Sequence, residues 1–200
     1  MKVARSLVVA VAAGILMAGS GAALAAPSAA AVSRFDDGSF EYPTAPANSF
    51  TTVNSGQAIG PWQVTSGGVD LIGDGFWQAA EGGQSVDLNA TQAGTVTQTF
   101  TTTPGRTYTV TYALAANPEG APAVKTGRVL VDGQNFQDFS FDSTGKTRAA
   151  MGYVQRQVTF VANASTTTLG FASTSPGAYG PVIDDVRVTG SSPCSCTCLC

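Results

Sequence analysis

The sequence predicts an all-β fold, a two-sheet β-sandwich with jelly-roll or Greek-key connections. From about residue 35 to residue 190, short runs of β-branched and aromatic residues follow one another, separated by turn residues. The run "TYTVTYALA" alternates strictly, which places Tyr108, Val110, Tyr112 and Leu114 on one strand face. No helical stripe of useful length interrupts this pattern. Roughly ten evenly spaced strands are enough for two packed sheets.

Turn residues delimit each candidate strand. Pro104-Gly105 suits a type II turn and Asp132-Gly133 a tight hairpin, whereas "NPEGAP" and "SPGAYGP" predict longer loops. Between these signals the candidate strands are, in order, "GSFEY", "FTTV", "GPWQVT", "GVDLIG", "QSVDLN", "GTVTQTFTT", "TYTVTYALAA", "GRVLVDG", "FQDFSF", "YVQRQVTFVA", "TTTLGFAS" and "PVIDDVRVTG". No internal repeat or linker divides them, so a single domain is expected over residues 35–190.

The two ends of the chain differ from this domain. Lys2 and Arg5 precede a short apolar run, and Ala23 and Ala25 offer a cleavage site, so residues 1–25 are predicted to be an export signal. Residues 26–34 form a flexible leader in this interpretation, and residues 191–200 a cysteine-rich tail. We therefore expect a secreted, extracellular or cell-wall-associated protein with no membrane insertion after signal removal.

All four cysteines lie in the terminal "CSCTCLC". They cannot cross-link the domain body; a flexible tail, links to other chains and a thiolate metal site all remain open. Without Lys2 and Arg5, 8 basic residues face 13 acidic ones, a net charge of about −5 with no basic cluster. This balance argues against nucleic acid as a partner.

The composition also restricts catalysis. The chain has no histidine, which excludes Ser-His-Asp and Cys-His mechanisms. A glycoside hydrolase needs only two carboxylates, which Asp70, Asp74 and Glu81 could supply, so this reaction is kept as a minor alternative. The prediction is that the protein is not an enzyme.

An ordered series of motifs resembles a known family. "DGSFE", "GPWQV", "GGVDLI", "FWQAAEGGQSVDLN", "PAVK", "MGY" and "GPVIDDVRV" follow one another between about Phe35 and Thr189. The series resembles the choice-of-anchor C family of secreted bacterial proteins and the related plant cell-wall proteins catalogued as a domain of unknown function. The resemblance implies a galactose-binding-like jelly roll that binds or organises polysaccharide, pectin among the plant relatives.

The resemblance also implies a structural calcium ion where the first and last strands meet. The matching positions here are Glu41 and the adjacent acids Asp184 and Asp185. Because successive strand side chains point to opposite faces, one of the two aspartates must point inward, where calcium would satisfy it. The alternative is that this acid pairs with Arg187, Arg34 or a run of backbone N–H groups.

Aromatic residues near polar side chains are the candidates for binding sugar rings. An aromatic face contacts the C–H groups of a pyranose while neighbouring polar groups bind its hydroxyls. The predicted carbohydrate-binding residues are Trp77, Phe76, Gln78, Asp74, Tyr153 and Tyr179. Asp87 and Asn89 share a strand face, for which a solvated surface is the expectation and a polar network or a site wall the alternative.

Together these features predict a secreted, monomeric, non-catalytic domain that binds extracellular polysaccharide, either pectin-like or from a bacterial cell wall. The alternative is a surface structural or adhesive protein that binds other proteins, with the cysteine tail forming intermolecular links. The two hypotheses differ in whether thiol-linked multimers form.

Overall fold

The computed structural model describes residues 34–191. The predicted signal (1–25), the leader apart from Arg34, and the tail apart from Ser191 lie outside these residues, as does every cysteine. The described part contains strands and no helix, and accordingly no helix there is long and apolar enough to cross a membrane. The strands are β1 (Phe50–Asn54), β2 (Ala58–Ile59), β3 (Trp62–Ser66), β4 (Gly68–Ile72), β5 (Ser85–Asp87), β6 (Thr95–Thr101), β7 (Thr107–Ala116), β8 (Val124–Val131), β9 (Gln134–Asp142), β10 (Val154–Val161), β11 (Thr166–Ser173) and β12 (Pro181–Gly190).

These strands form two six-stranded sheets. The first sheet has the order β1-β4-β5-β12-β7-β10, and the second has the order β2-β3-β6-β11-β8-β9. The strand pairs are antiparallel throughout. The predicted fold class, an all-β two-sheet jelly-roll sandwich, is confirmed.

The core lies between the sheets and follows the alternation predicted from the sequence. On β7, Tyr108, Val110, Tyr112 and Leu114 are buried. The Tyr112 ring crosses the interior to contact Phe171 of the second sheet, with ring centroids 5.0 Å apart in an edge-to-face arrangement. Aromatic pairs of this geometry contribute about 0.5–1.5 kcal/mol beyond the area they bury.

The segment "GSFEY" was predicted to be a strand, and this prediction is wrong. Residues 38–39 form a turn and residues 40–42 are irregular, and the backbone is left-handed at Asp37 and Phe40, with φ values of 45° and 58°. Gly38 lies so close to the Val186 carbonyl that a side chain would overlap it. Phe40 instead enters the core, with its ring centroid 5.0 Å from that of Trp62. Tertiary contacts therefore override the local β pattern.

A β-bulge interrupts β12 at the two adjacent acids. The register with β7 shifts between Asp184 and Arg187, and Asp185 adopts a φ of 46°. A bulge redirects neighbouring side chains. Asp184 is fully buried on the outer face of the first sheet, whereas Asp185 pairs with Arg187 at 2.7 Å.

Candidate functional site

The floor of the main cleft is a row of residues across the first sheet. Thr52, Asp70 and Asp87 occupy directly paired positions on β1, β4 and β5, so their side chains share the outer face. The Thr52 hydroxyl donates to Asp70 Oδ1 at 2.6 Å. Partial burial raises the pKa of Asp70, and the Thr52 hydrogen bond opposes this shift. Asp70, which is partly exposed, presents its carboxylate to the cleft, whereas Asp87 is buried.

Two partly exposed aromatic rings line the cleft, which has a volume of about 360 Å³. Phe50 on β1 is 44% exposed, and Tyr179 in the loop before β12 is 38% exposed. Asn117 and Glu119, from the loop after β7, complete the polar lining with Arg148. Because β7 and β12 are neighbours in the sheet, the loops at their ends meet at the cleft.

Close packing holds the Tyr179 ring in place. Gly120 has a φ of +63°, and a Cβ there would overlap Tyr179 Cδ2. Only glycine suits both the left-handed backbone and this close approach. Buried Lys125 donates from Nζ to the Gly120 carbonyl at 3.0 Å and lies 5.6 Å from the Tyr179 ring centroid. The ring is therefore backed by the 117–123 loop.

Asp87 links three chain segments beneath the cleft. Its Oδ1 accepts hydrogen bonds from the backbone N–H of Asn89 at 2.9 Å and of Gly180 at 3.0 Å. Its Oδ2 accepts from Asn117 Nδ2 at 2.8 Å. Complete burial raises the pKa of Asp87 to about 7, although these donors favour the charged form. Gly180 directly follows Tyr179, so Asp87 anchors the aromatic wall.

Arg148 forms the ridge between this cleft and a second cavity of about 550 Å³. Its guanidinium lies over the Phe76 ring, with Cζ 4.1 Å from the centroid. It also pairs with Glu119 Oε1 at 2.6 Å. Phe76, Trp77 and Arg148 line both cavities, so the two cavities are neighbours.

Four of the six predicted carbohydrate-binding residues meet in the second cavity. Asp74, Phe76, Trp77 and Gln78 line it, and the first cleft contains Tyr179 together with Phe76 and Trp77. Trp77 is only 6% exposed, and its Nε1 donates to Ser85 Oγ at 2.8 Å, so the indole belongs largely to the interior. Tyr153 lines neither cavity and packs against the core, where burial raises its pKa. Their binding roles stay predictions.

The three predicted calcium ligands are engaged with protein groups. Asp184 Oδ2 accepts from the backbone N–H of Ala80 and of Glu81, and Glu41 Oε1 accepts from those of Gly83 and Gln84. Burial raises the pKa of Asp184 to about 7. The expectation that one of the two aspartates points into the sandwich is wrong: Asp184 lies on the outer face of the first sheet, where a loop buries it and supplies the backbone N–H groups of the expected alternative.

This arrangement does not fit the calcium ligand set implied by the resemblance, because the carboxylates face N–H donors. Within residues 34–191 no cluster of three or more acidic, cysteine or histidine side chains is arranged to hold a metal ion. Calcium binding stays a prediction. The melting temperature in calcium and in chelator tests it: a rise in calcium alone supports it, and equal values contradict it.

Comparison with known proteins decides the family. The family model described as "Protein of unknown function (DUF642)" matches residues 33–189. The chain belongs to this family. The predicted relation to a family catalogued by its unknown function is thereby confirmed, and membership of the choice-of-anchor C family stays a prediction.

One curated relative and two solved structures illustrate what the DUF642 domain is similar to. Halomucin of Haloquadratum walsbyi (strain DSM 16790 / HBSQ001) is 30% identical over 145 residues, which cover 71% of this chain and 2% of halomucin. A family 35 carbohydrate-binding module from Clostridium thermocellum gives a TM-score of 0.49 at 17% identity, covering 70% of this chain and 99% of that one. The CBM22-1 xylan-binding domain from Paenibacillus barcinonensis Xyn10C gives 0.48 at 14%, covering 75% and 99%.

Several lining residues of the DUF642 domain were not predicted as site residues. The sequence predicts Phe50 only as part of a strand and does not mark Asn117, Glu119 or Arg148, all of which line the cleft. The loops "NPEGAP" and "SPGAYGP" were recognised, but their meeting depends on β7 and β12 being neighbours, which the sequence does not reveal. The expected solvated face for Asp87 and Asn89 is wrong: both residues are buried, and Asp87 takes part in a polar network.

Proposed function

We propose that this DUF642 domain binds a carbohydrate chain in the cleft between Phe50 and Tyr179, without catalysing a reaction on it. The observation that carries the proposal is the pairing of two partly exposed aromatic rings with a polar floor in one concave site. Sugar rings match this combination, because they present apolar C–H faces and hydroxyl edges at once.

Each part of the cleft has a specific role in binding. Phe50 and Tyr179 pack against the faces of sugar rings, which displaces water from apolar surface. Asp70 Oδ1 and Oδ2 accept hydrogen bonds from sugar hydroxyls, and charged acceptors of this kind form the stronger hydrogen bonds. Asn117 and Arg148 border the same space as donors.

The arrangement of acids supports a non-catalytic role. Asp70 and Asp87 project from paired positions on one sheet face, whereas a glycoside hydrolase places its two carboxyls on either side of the scissile bond. Both oxygens of Asp87 accept hydrogen bonds from protein N–H groups. Asp70 and Asp74 lie in different cavities, and Glu81 lines neither. We expect no release of reducing sugar from polymers that the protein binds.

Retention on polysaccharides tests the proposal. The full chain is run by affinity electrophoresis through gels containing pectin or xylan and is mixed with cellulose, chitin or peptidoglycan for pull-down. We expect retention by at least one polymer, and about tenfold weaker retention for Tyr179→Ala or Phe50→Ala, equivalent to about 1.4 kcal/mol.

Two matched variants control for loss of an exposed ring elsewhere. Tyr42→Ala removes a 71% exposed tyrosine, and Phe136→Ala removes a phenylalanine that is 46% exposed on β9 of the second sheet. Neither ring lines the cleft, so retention should be unchanged. Failure of all five polymers to retain the protein, or equal losses in the control variants, would contradict the proposal.

The place of action is part of the same proposal. We infer that the protein acts outside the cell, at a wall or matrix polysaccharide, on the strength of the predicted signal in residues 1–25. N-terminal sequencing of the protein recovered from culture medium should begin at about residue 26. Recovery only from the cell interior with Met1 retained would contradict secretion.

A further inference from the structure

The buried side chain of Asn89 carries a hydrogen-bond acceptor that has no donor. Its Nδ2 donates to the carbonyls of Ser175 at 3.0 Å and of Gly177 at 2.6 Å, which fixes the orientation of the amide. Its Oδ1 is buried and finds no hydrogen-bond partner among residues 34–191. A buried acceptor without a donor is costly, and this cost calls for a proton nearby.

The carboxyl group of Asp87 is the titratable group that borders the same space beside Gly180. A methyl group at Gly180 would clash with both Asn89 Oδ1 and Asp87 Oδ1, so the two oxygens converge on the same point beside Gly180. Two acceptor oxygens converging in a buried site are unfavourable unless one of them carries hydrogen. Protonation of Asp87 at Oδ1 would supply that hydrogen.

We propose that Asp87 and Asn89 form a proton-binding pair whose state positions Gly180 and Tyr179, and so sets the affinity of the cleft for its ligand. This inference rests on the proposed function where it concerns affinity, but the proton-binding pair itself does not. Asp87 acts here as a positioning residue, because its oxygens are occupied by protein groups rather than facing the ligand.

The two states distribute hydrogen bonds differently. When Asp87 is ionised, Oδ1 accepts from both Asn89 N–H and Gly180 N–H, which draws Gly180 against β5 and holds the adjacent Tyr179 ring. When Oδ1 is protonated, it donates to Asn89 Oδ1 and becomes a poor acceptor, so the Gly180 bond weakens. Oδ2 remains a carbonyl oxygen and keeps its bond from Asn117 Nδ2.

The ionisable groups around Asp87 decide where this change occurs. Asp70 from β4 raises the pKa of Asp87, as burial does. Lys125 from β8 is the cation that interacts with Asp87, and Tyr153 contributes a neutral phenol. Burial is the largest cause of the raised pKa of Asp87. Because this pKa is about 7, the carboxyl group changes its protonation state near neutral pH. Ligand binding should be tighter on the alkaline side.

The first test needs no ligand and no variant. NMR spectra of the full chain are recorded from about pH 5 to about pH 9, following the Asp87 carboxyl carbon and the Gly180 and Asn89 amides. We expect all three signals to shift together with one midpoint near neutrality. A carboxyl carbon that titrates like an unperturbed aspartate, or a Gly180 amide that does not move with it, overturns the proposal.

The second test uses a matched pair of buried acids. Asp87→Asn should abolish the titration of the Gly180 amide, whereas Asp184→Asn should preserve it. Asp184 is buried on the same sheet face and has a similarly raised pKa, but it binds the N–H groups of Ala80 and Glu81 and does not line the cleft. Loss of the Gly180 titration in both variants contradicts a specific role for Asp87.

The third test connects the pair to binding. Retention by the polysaccharide found above is compared at about pH 6 and about pH 8, with an expected gain of about threefold or more at the higher pH. Asp87→Asn should remove this dependence, and Asp184→Asn should keep it. Equal retention at both pH values, with Asp87 titrating between them, overturns the inference but leaves the proposed function intact. If no polymer retains the protein at either pH but the Gly180 amide titrates, the proposed carbohydrate binding is overturned. The positioning of Gly180 by Asp87 is then still supported.

Discussion

The outer faces of the two sheets are built differently, although both belong to antiparallel sheets of six strands. On the first sheet, loops cover the face and bury polar and aromatic side chains, among them Asp87, Asp184 and Trp77. On the second sheet, the paired positions Thr97, Gly170 and Leu130 form a row in which the Thr97 and Leu130 side chains stay partly exposed. The cleft occurs on the face where loops form walls.

The difference shows how a sandwich acquires a binding site. Strand alternation alone gives a flat outer face, such as that of the second sheet. A concave site requires long loops, and buried carboxylates hold those loops by accepting backbone N–H groups, as Asp184 does for Ala80 and Glu81. Each anchor introduces a cost of desolvation. Function and the pH dependence of stability therefore depend on the same groups.

The largest expected effect comes from truncating one apolar side chain on each outer face in turn. Trp77→Ala should lower the free energy of unfolding by about 3–5 kcal/mol, because the indole is buried beneath the loops and its Nε1 binds Ser85. Leu130→Ala on the second sheet should cost about 1 kcal/mol, because this side chain is only partly buried. Urea denaturation measures both, and equal losses would remove the distinction between the faces.

The next effect is the dependence of stability on pH. Burial raises the pKa values of Asp87 and Asp184 to about 7 in the folded protein, from the ordinary value of 3.8 for an aspartate. Because both values are raised, the stability they contribute is fully present below about pH 3.8 and is lost as the pH rises to about 7. The slope is at most about 1.4 kcal/mol per pH unit for each group.

Urea denaturation between about pH 5 and about pH 8 measures this slope. Asp87→Asn and Asp184→Asn should each flatten the profile, whereas Asp142→Asn, at an exposed position of the second sheet, should leave its slope between these pH values unchanged. A free energy of unfolding that increases from about pH 5 to about pH 7 would contradict the raised pKa values.

The sequence allowed the strands to be predicted better than the site. The alternation of apolar and polar residues predicts β7 correctly, because every second residue from Tyr108 to Leu114 is apolar and buried. The strand prediction for the segment containing Phe40 is wrong because the conformation of this segment depends on Val186, which is distant in sequence. Asp184 illustrates the same limit: the sequence shows that one of the two adjacent acids is buried, but its N–H partners lie in a loop more than a hundred residues away. Cavity walls likewise depend on strand order, which local patterns do not encode.

A moderate effect is expected at the ridge of the site. Arg148→Ala removes the contact with Phe76 and the ion pair with Glu119, both at a partly exposed position. Exposed pairs and cation–π contacts each contribute about 0.5–1 kcal/mol, so stability should decrease by about 1 kcal/mol. Arg128→Ala, whose pair with Asp138 lies on the second sheet, is the matched control and should cost less. Polysaccharide retention should decrease for Arg148→Ala only.

The smallest effect tests whether the face of the second sheet is inert. Thr99 and Thr168 are paired on β6 and β11, and their hydroxyls form a hydrogen bond of 2.8 Å in an exposed position. Thr99→Val keeps the β-branched shape and removes only the hydroxyl, so stability should change by less than about 1 kcal/mol. Polysaccharide retention should be unchanged, because this pair lies on the other sheet. Weaker retention for Thr99→Val, with stability preserved, would instead place ligand contacts on the second sheet and make loop-built walls unnecessary for binding.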